Sequence, residues 1–234
     1  MRESLVLLKN EDAILPLSPR TRLLVAGDGA DNLAKQCGGW TISWQGDGNS
    51  RADFPSGETV FEAVRARVEA AGGAATLSID GSFAERPDVA IVVFGENPYA
   101  EFQGDIATLD YQPDDPRDLR LIEHLRAQGV PVVAVFLSGR PLYVTPEINA
   151  ANAFVAAFLP GAEGGGVADL LFREASGAIA YDFRGRLSFS WPRAPDQTSL
   201  NVGDANYDPL FACGYGLSYR RPRNLGQLPL APSP

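Results

Sequence analysis

Residues 89–95 read Val-Ala-Ile-Val-Val-Phe-Gly, seven positions without a polar side chain, and Glu96, Asn97 and Pro98 follow at once. The run does not alternate between apolar and polar positions, so both of its faces call for burial. That pattern suits a central parallel strand covered by helices on each side. Related runs lie around it: Arg22–Ala26 (RLLVA), Val130–Leu137 (VPVVAVFL) and Ala153–Phe158 (AFVAAF), with Ala75–Ile79 a weaker fifth. Helical spacing fills the intervals. Glu58–Ala71 sets Val60, Phe61, Val64 and Val68 on one stripe and stops at Gly72-Gly73. Pro116–Gln128 takes Asp115 as N-cap and Pro116 in its first turn, with Leu119, Ile122 and Leu125 on one face. Gly166–Arg173 is a third, shorter helix. Strands alternating with helices over short connections predict an α/β fold. The expected form is an open, mostly parallel sheet with helices on both faces, a three-layer α/β/α sandwich. From Tyr181 onward the chain is rich in Gly, Pro, Asn, Asp and aromatics and lacks periodicity, which predicts an irregular C-terminal wrap. The expected division is a lead-in over 1–20, the sandwich over 21–219 and a loose tail over 220–234.

The 234 residues are 45% hydrophobic and 21% charged, ordinary for a globular chain and far from a disordered one. Twenty Lys and Arg face 29 Asp and Glu, a net charge of −9. That excess of acid opposes a general nucleic-acid binder, which needs a basic face for phosphates. The longest apolar runs fall well short of a membrane span, so no membrane partner is expected. A single histidine, His124, argues against a His-based triad or a multi-His metal site, and it reads as a solvated helix residue. Two cysteines, Cys37 and Cys213, make no disulfide framework and are expected as free thiols. The first residues carry no secretion-signal pattern, so the chain reads as cytoplasmic or as a piece of something longer.

In open α/β sheets ligands gather beyond the carboxyl ends of the strands, so those loops hold the candidates. Gly27-Asp28-Gly29-Ala30-Asp31-Asn32 begins like a dinucleotide fingerprint. The third glycine is absent and no good helix start follows, so a tight turn is the preferred reading. Pro160–Gly166, with its run of glycines, suits close helix packing better than an anion cradle. Two stretches resist a purely structural reading. Cys37–Asp47 (CGGWTISWQGD) puts Trp40 and Trp44 in a glycine-rich loop, where flat indoles either plug the loop or stack on the apolar face of a sugar ring. Gly95–Asp105 (GENPYAEFQGD) places Glu96, Glu101 and Asp105 just past the central strand. They form either a solvated acidic loop or a source of acid, base or metal-ligand chemistry.

Taken together with Glu3–Asn10, Leu137–Pro141, Phe158–Gly161, Gly185–Leu187, Asn201–Phe211 and Gly214–Tyr219, these stretches form an ordered series spanning about residues 2–219. The series resembles the second, α/β-sandwich domain of family 3 glycoside hydrolases, in particular the β-D-glucan exohydrolase and exo-β-glucosidase branch. The resemblance implies a retaining exo-hydrolase of β-glucosides, with two carboxyl groups about 5–5.5 Å apart. It implies a nucleophilic aspartate on a preceding (β/α)8-type barrel domain, in cis or in trans, so that residues 1–20 would lead in from that barrel. The general acid/base falls on Glu101 and not on Glu96, which would support the loop through hydrogen bonds. Trp44 falls on the position that forms one side of a stacking clamp for the leaving-group sugar, with Trp40 beside it. No cofactor and no metal are implied, and the partners are a β-glucoside or β-glucan oligosaccharide and the barrel. By the same resemblance a full-length enzyme would be periplasmic or secreted. A lone chain would be inactive, and its Glu101 pKa would relax towards the ordinary value of about 4.3. The alternatives are a carbohydrate-binding or regulatory module without chemistry and, at fold level only, a nucleotide-binding domain.

Overall fold

The structure, a computed structural model, describes residues 1–231. Six strands form one sheet: β1 (Val6–Asn10), β2 (Arg22–Ala26), β3 (Ala74–Leu77), β4 (Val89–Gly95), β5 (Val132–Leu137) and β6 (Ala153–Phe158), in the spatial order β1-β6-β5-β4-β2-β3. Five of them run parallel, and β1 joins β6 antiparallel at one edge. Among the described residues five α-helices complete the fold: α1 (Leu33–Cys37), α2 (Val60–Ala70), α3 (Arg117–Ala127), α4 (Thr145–Ala150) and α5 (Gly164–Leu171). No helix among the described residues is long and apolar enough to cross a membrane.

Each central strand divides its side chains between two cores, because successive residues point to opposite faces. On one face Val25, Ile91, Val93, Val133, Val135 and Val155 meet Val60, Val64 and Val68 of α2 and Val167 and Leu171 of α5. On the other, Leu24, Val92, Phe94, Ala134, Phe136 and Phe154 meet Ile122 and Leu125 of α3, Ile148 of α4 and Trp191 of the C-terminal wrap. This is the expected three-layer sandwich.

The structure differs locally from the sequence pattern at several points. The lead-in is itself partly strand: β1 has all five residues buried and supplies Leu7 and Leu8 to opposite cores. Helix α3 begins one residue later than expected, with Pro116 at the N-cap position and no side-chain cap. Asp115 instead pairs with Arg120. Asp118 occupies the buried face with Ile122 and Leu125, while Leu119 is only half-buried, because Tyr111 and Gln112 give the Asp118 carboxylate hydrogen bonds at 2.7 and 2.8 Å. Residues 224–231 make hydrogen bonds to the body of the fold. Asn149 Oδ1 accepts from Leu228 N at 2.8 Å, Glu11 Oε1 from Leu225 N at 2.7 Å, and Tyr143 Oη from Ala231 N at 3.0 Å. The prolines and glycine there prevent regular structure but not docking. Both cysteines are free and His124 is exposed.

Candidate active site

The chain runs from β2 outward to β3 and then returns to form β4 on the other side of β2, so the connections after β2 and after β4 diverge from adjacent strand ends. Such a switch point opens a crevice at the carboxyl edge of the sheet. The turn after β2 is tight: Gly27 has φ +87°, and a Cβ there would lie 2.2 Å from the Val93 carbonyl oxygen. Contrary to the sequence expectation, a helix does follow Gly27–Asn32. Asn32 Oδ1 accepts from Lys35 N at 2.9 Å and starts α1. Lys35, 2% exposed, donates from Nζ to Asp28 Oδ1 at 2.7 Å and to Gly95 O at 2.9 Å, and so ties the two strand ends together beneath the crevice.

From α1 the chain enters the loop 38–50, and from β4 the loop 96–105. These meet. A Cβ on Gly39 would lie 1.9 Å from the Tyr99 carbonyl oxygen, so only glycine permits this approach. Gln45 bridges the loops in the manner of a strand neighbour: its Oε1 accepts from Ala100 N at 2.7 Å and its Nε2 donates to Glu101 O at 3.0 Å. The Trp44 indole Nε1–H donates to Glu101 Oε2 at 2.7 Å. Trp40 lies beside Trp44 with ring centroids 6.3 Å apart, and the Phe102 ring stands nearly perpendicular to that of Trp44, centroids 5.9 Å apart. These rings are 69%, 48% and 75% exposed for Trp40, Trp44 and Phe102. Trp40, Ile42 and Phe102 all take left-handed backbone conformations, with φ 59°, 62° and 73°. Such φ values are unfavourable for bulky residues, and for β-branched Ile42 most of all. Internal hydrogen bonds hold the turn, including Trp40 N to Trp44 O at 2.9 Å and Asn49 Nδ2 to Thr41 O at 2.8 Å.

Glu96 is engaged by the segment after β5. Its Oε1 accepts from Arg140 Nε at 2.9 Å and Nη2 at 2.8 Å, while Arg140 Nη1 donates to Gly104 O at 2.6 Å. The Arg140 guanidinium also lies 4.3 Å over the Tyr99 ring. One ion pair thus joins both ends of the loop 96–105 to the segment after β5. Burial pushes the Tyr99 hydroxyl up to about 12, so it stays protonated. A cavity of about 320 Å³ runs along this side, lined by Glu96, Tyr99, Asp110, Arg140 and Leu142 among others.

The Glu101 carboxyl lies below the ordinary glutamate range, first because the Trp44 indole donates to it and then because its own backbone N–H does. This corrects the expectation of an ordinary value: water surrounds the loop, but a dedicated donor still favours the charged form. Trp44 and Glu101 are therefore brought into contact, Trp40 sits alongside, and Glu96 is engaged elsewhere. Gln45 and Phe102 complete the site, and neither carries a signal in the sequence beyond its place in the two loops. Among the described residues no cluster of three His, Cys, Asp or Glu side chains is arranged to hold a metal ion.

The model of the glycosyl hydrolase family 3 C-terminal domain matches residues 5–219. A lysosomal beta glucosidase of Dictyostelium discoideum is 32% identical over 93% of this chain and 28% of its own length. A periplasmic beta-glucosidase of Salmonella typhimurium is 29% identical over 93% of this chain and 34% of its own. Among solved structures, an exo-1,3/1,4-beta-glucanase from a Pseudoalteromonas species superposes with a TM-score of 0.96 at 52% identity. That match covers 98% of this chain and 29% of the other. The chain thus spans about a third of the length of these relatives.

Proposed function

This chain belongs to the glycosyl hydrolase family 3 C-terminal domain family, and from that premise we propose that it supplies the proton donor of a retaining, exo-acting β-glucosidase or β-glucan glucohydrolase. Glu101 is the general acid/base and Trp44 stacks on the leaving-group sugar, with Trp40 beside it. Glu96 supports the loop through Arg140. The nucleophile is an aspartate of a partner (β/α)8-type barrel, which docks over the crevice at the carboxyl edge of the sheet.

In the first step the aspartate attacks the anomeric carbon, the bond to the glycosidic oxygen breaks with its electron pair going to that oxygen, and Glu101 gives it a proton. In the second, Glu101 takes a proton from water as the water oxygen displaces the aspartate. The single observation that carries this reading is the exposed Glu101 carboxylate, 2.7 Å from the indole of a half-exposed tryptophan at the switch point. A carboxylate that must be protonated to act needs its pKa raised on assembly, and a docked barrel with a nearby carboxylate would do that.

The test joins this chain to a family 3 barrel and compares Glu101→Ala with the parent. The variant loses roughly 10²–10⁴-fold in rate on alkyl or disaccharide substrates, much less on activated aryl glucosides, and regains turnover with azide. Equal loss on all substrates with no azide rescue would refute the assignment. The 234-residue chain alone is expected not to turn over an aryl β-glucoside. The rival reading, a carbohydrate-binding module without chemistry, draws on the exposed rings alone. It predicts oligosaccharide affinity that is lost in Trp44→Ala and indifferent to Glu101→Ala.

A further inference from the structure

The hydrogen bond between Trp44 and Glu101 joins two groups that the proposed function treats separately. An indole N–H lies in the plane of its ring and points outward from one edge, whereas a sugar stacks on the ring face. Donation to Glu101 Oε2 at 2.7 Å therefore does not itself occupy a face of the Trp44 ring, and the residue is 48% exposed. Gln45, adjacent to Trp44, holds the main chain on both sides of the Ala100–Glu101 junction, through Ala100 N and Glu101 O. The same short segment thus fixes the backbone of the acid/base through one residue and its carboxylate through the next.

We propose that Trp44 is a positioning residue for Glu101. Its in-plane N–H orients the carboxylate while its face takes the leaving-group sugar, so that one side chain couples sugar binding to proton transfer. The catalytic consequence rests on the assignment of Glu101 as proton donor. The hydrogen bond does not.

The carboxyl of Glu101 is governed chiefly by hydrogen-bond donors. The causes are the Trp44 indole, the residue's own backbone N–H, a smaller opposing effect of burial and a minor donation from Trp40. Of the other acids in the two loops, Glu96 is committed to Arg140, and Asp47 and Asp105 are exposed. The effect of the indole can therefore be isolated by a single change. Trp44→Phe removes the N–H and keeps a ring for stacking. Stabilising the carboxylate makes Glu101 a stronger acid and a weaker base, so loss of the N–H moves proton release to higher pH.

The primary experiment is a ¹³C NMR titration of the Glu101 carboxyl in the 234-residue chain. In the parent its midpoint lies below the ordinary glutamate value of about 4.3, and the Trp44 indole ¹H–¹⁵N resonance moves with the same midpoint. In Trp44→Phe the midpoint rises towards the ordinary value, while Trp40→Phe changes it less. An unchanged midpoint in Trp44→Phe, or an indole resonance indifferent to the titration of Glu101, would overturn the proposal. With the barrel joined, the basic limb of the kcat/KM profile of Trp44→Phe moves to higher pH while the KM for a β-linked glucose disaccharide changes little. A limb that stays in place also overturns the coupling. Failure of azide rescue in Glu101→Ala with the NMR result intact would instead remove the catalytic reading and leave the hydrogen bond standing.

Discussion

Trp191 is fully buried against Phe136 and Phe158, and its indole nitrogen has no hydrogen-bond partner among the described residues. Trp44, in the loop 38–50, is half exposed and donates its N–H to Glu101. The two indoles show what organises each region. In the core, removal of aromatic area from water outweighs the roughly 1–3 kcal/mol cost of one unpaired polar group, so the Trp191 side chain is held by packing, while its backbone pairs with Phe211. At the carboxyl edge little area is removed, and position is set by hydrogen bonds, a glycine contact at Gly39 and two loops that carry three bulky residues at positive φ, Trp40 and Ile42 in one and Phe102 in the other. Strain of that kind, combined with exposed rings, has no packing rationale, which is why the loops and not the core are the candidate site.

The sharpest way to break this comparison is the Glu101→Ala variant in a barrel-containing enzyme. Its expected loss of roughly 10²–10⁴-fold on poor leaving groups comes with no change in melting temperature, since the side chain is exposed and outside both cores. A fall in stability matching the fall in activity would make Glu101 structural. The mirror experiment is Trp191→Ala, expected to cost about 3–5 kcal/mol in chemical denaturation. A loss under about 1 kcal/mol would show that the wrap carries little of the core.

Glu147 offers a test by pH. It lies on α4 and is almost fully buried, its Oε2 has no partner among the described residues, and burial raises its pKa to about 8. Its folded value stands above its unfolded one, so its stabilising protonated form is fully present below about pH 4.3 and that stability is lost as pH rises through about 8. The slope in between is at most about 1.4 kcal/mol per pH unit. Glu147→Gln should flatten that decline, and an unchanged pH dependence of the melting temperature would remove burial as its cause.

Smaller effects separate the loop from its support. Arg140→Ala removes the partner of the largely buried Glu96 and the donor to Gly104 O, and is expected to cost roughly 1–3 kcal/mol. It should also open the loop 96–105 to proteolysis, while retained resistance would show that Gln45 and Gly39 suffice. Least of all, Trp44→Ala should change stability by no more than about 0.5 kcal/mol. A core-sized loss would place Trp44 with Trp191 after all.

The strands were legible because their composition left no other solution. A run such as Val89–Gly95 with both faces apolar must be covered twice, and the helical stripe Val60, Phe61, Val64, Val68 could cover one side. Less was legible where a polar side chain replaced an apolar one. Asp118 took a buried position because Tyr111 and Gln112 reach it, a contact between α3 and the loop before it that spacing does not reveal. Helix α1 was hidden because it is one short turn started by Asn32, and β1 because an edge strand of five residues resembles any apolar lead-in.

The sequence by itself determined the sandwich and the two loops that carry the candidate site, since hydrophobic periodicity is local and glycine-rich aromatic loops are conspicuous. It did not determine that Trp44 and Glu101, 57 positions apart, touch, nor that Gln45 clamps the backbone between them. Only the return of the chain across β2, which sets β4 beside it, brings those loops to one crevice. Hydrogen bonds of 2.7 Å depend on that placement to within fractions of an ångström, and no one-dimensional pattern carries information of that kind.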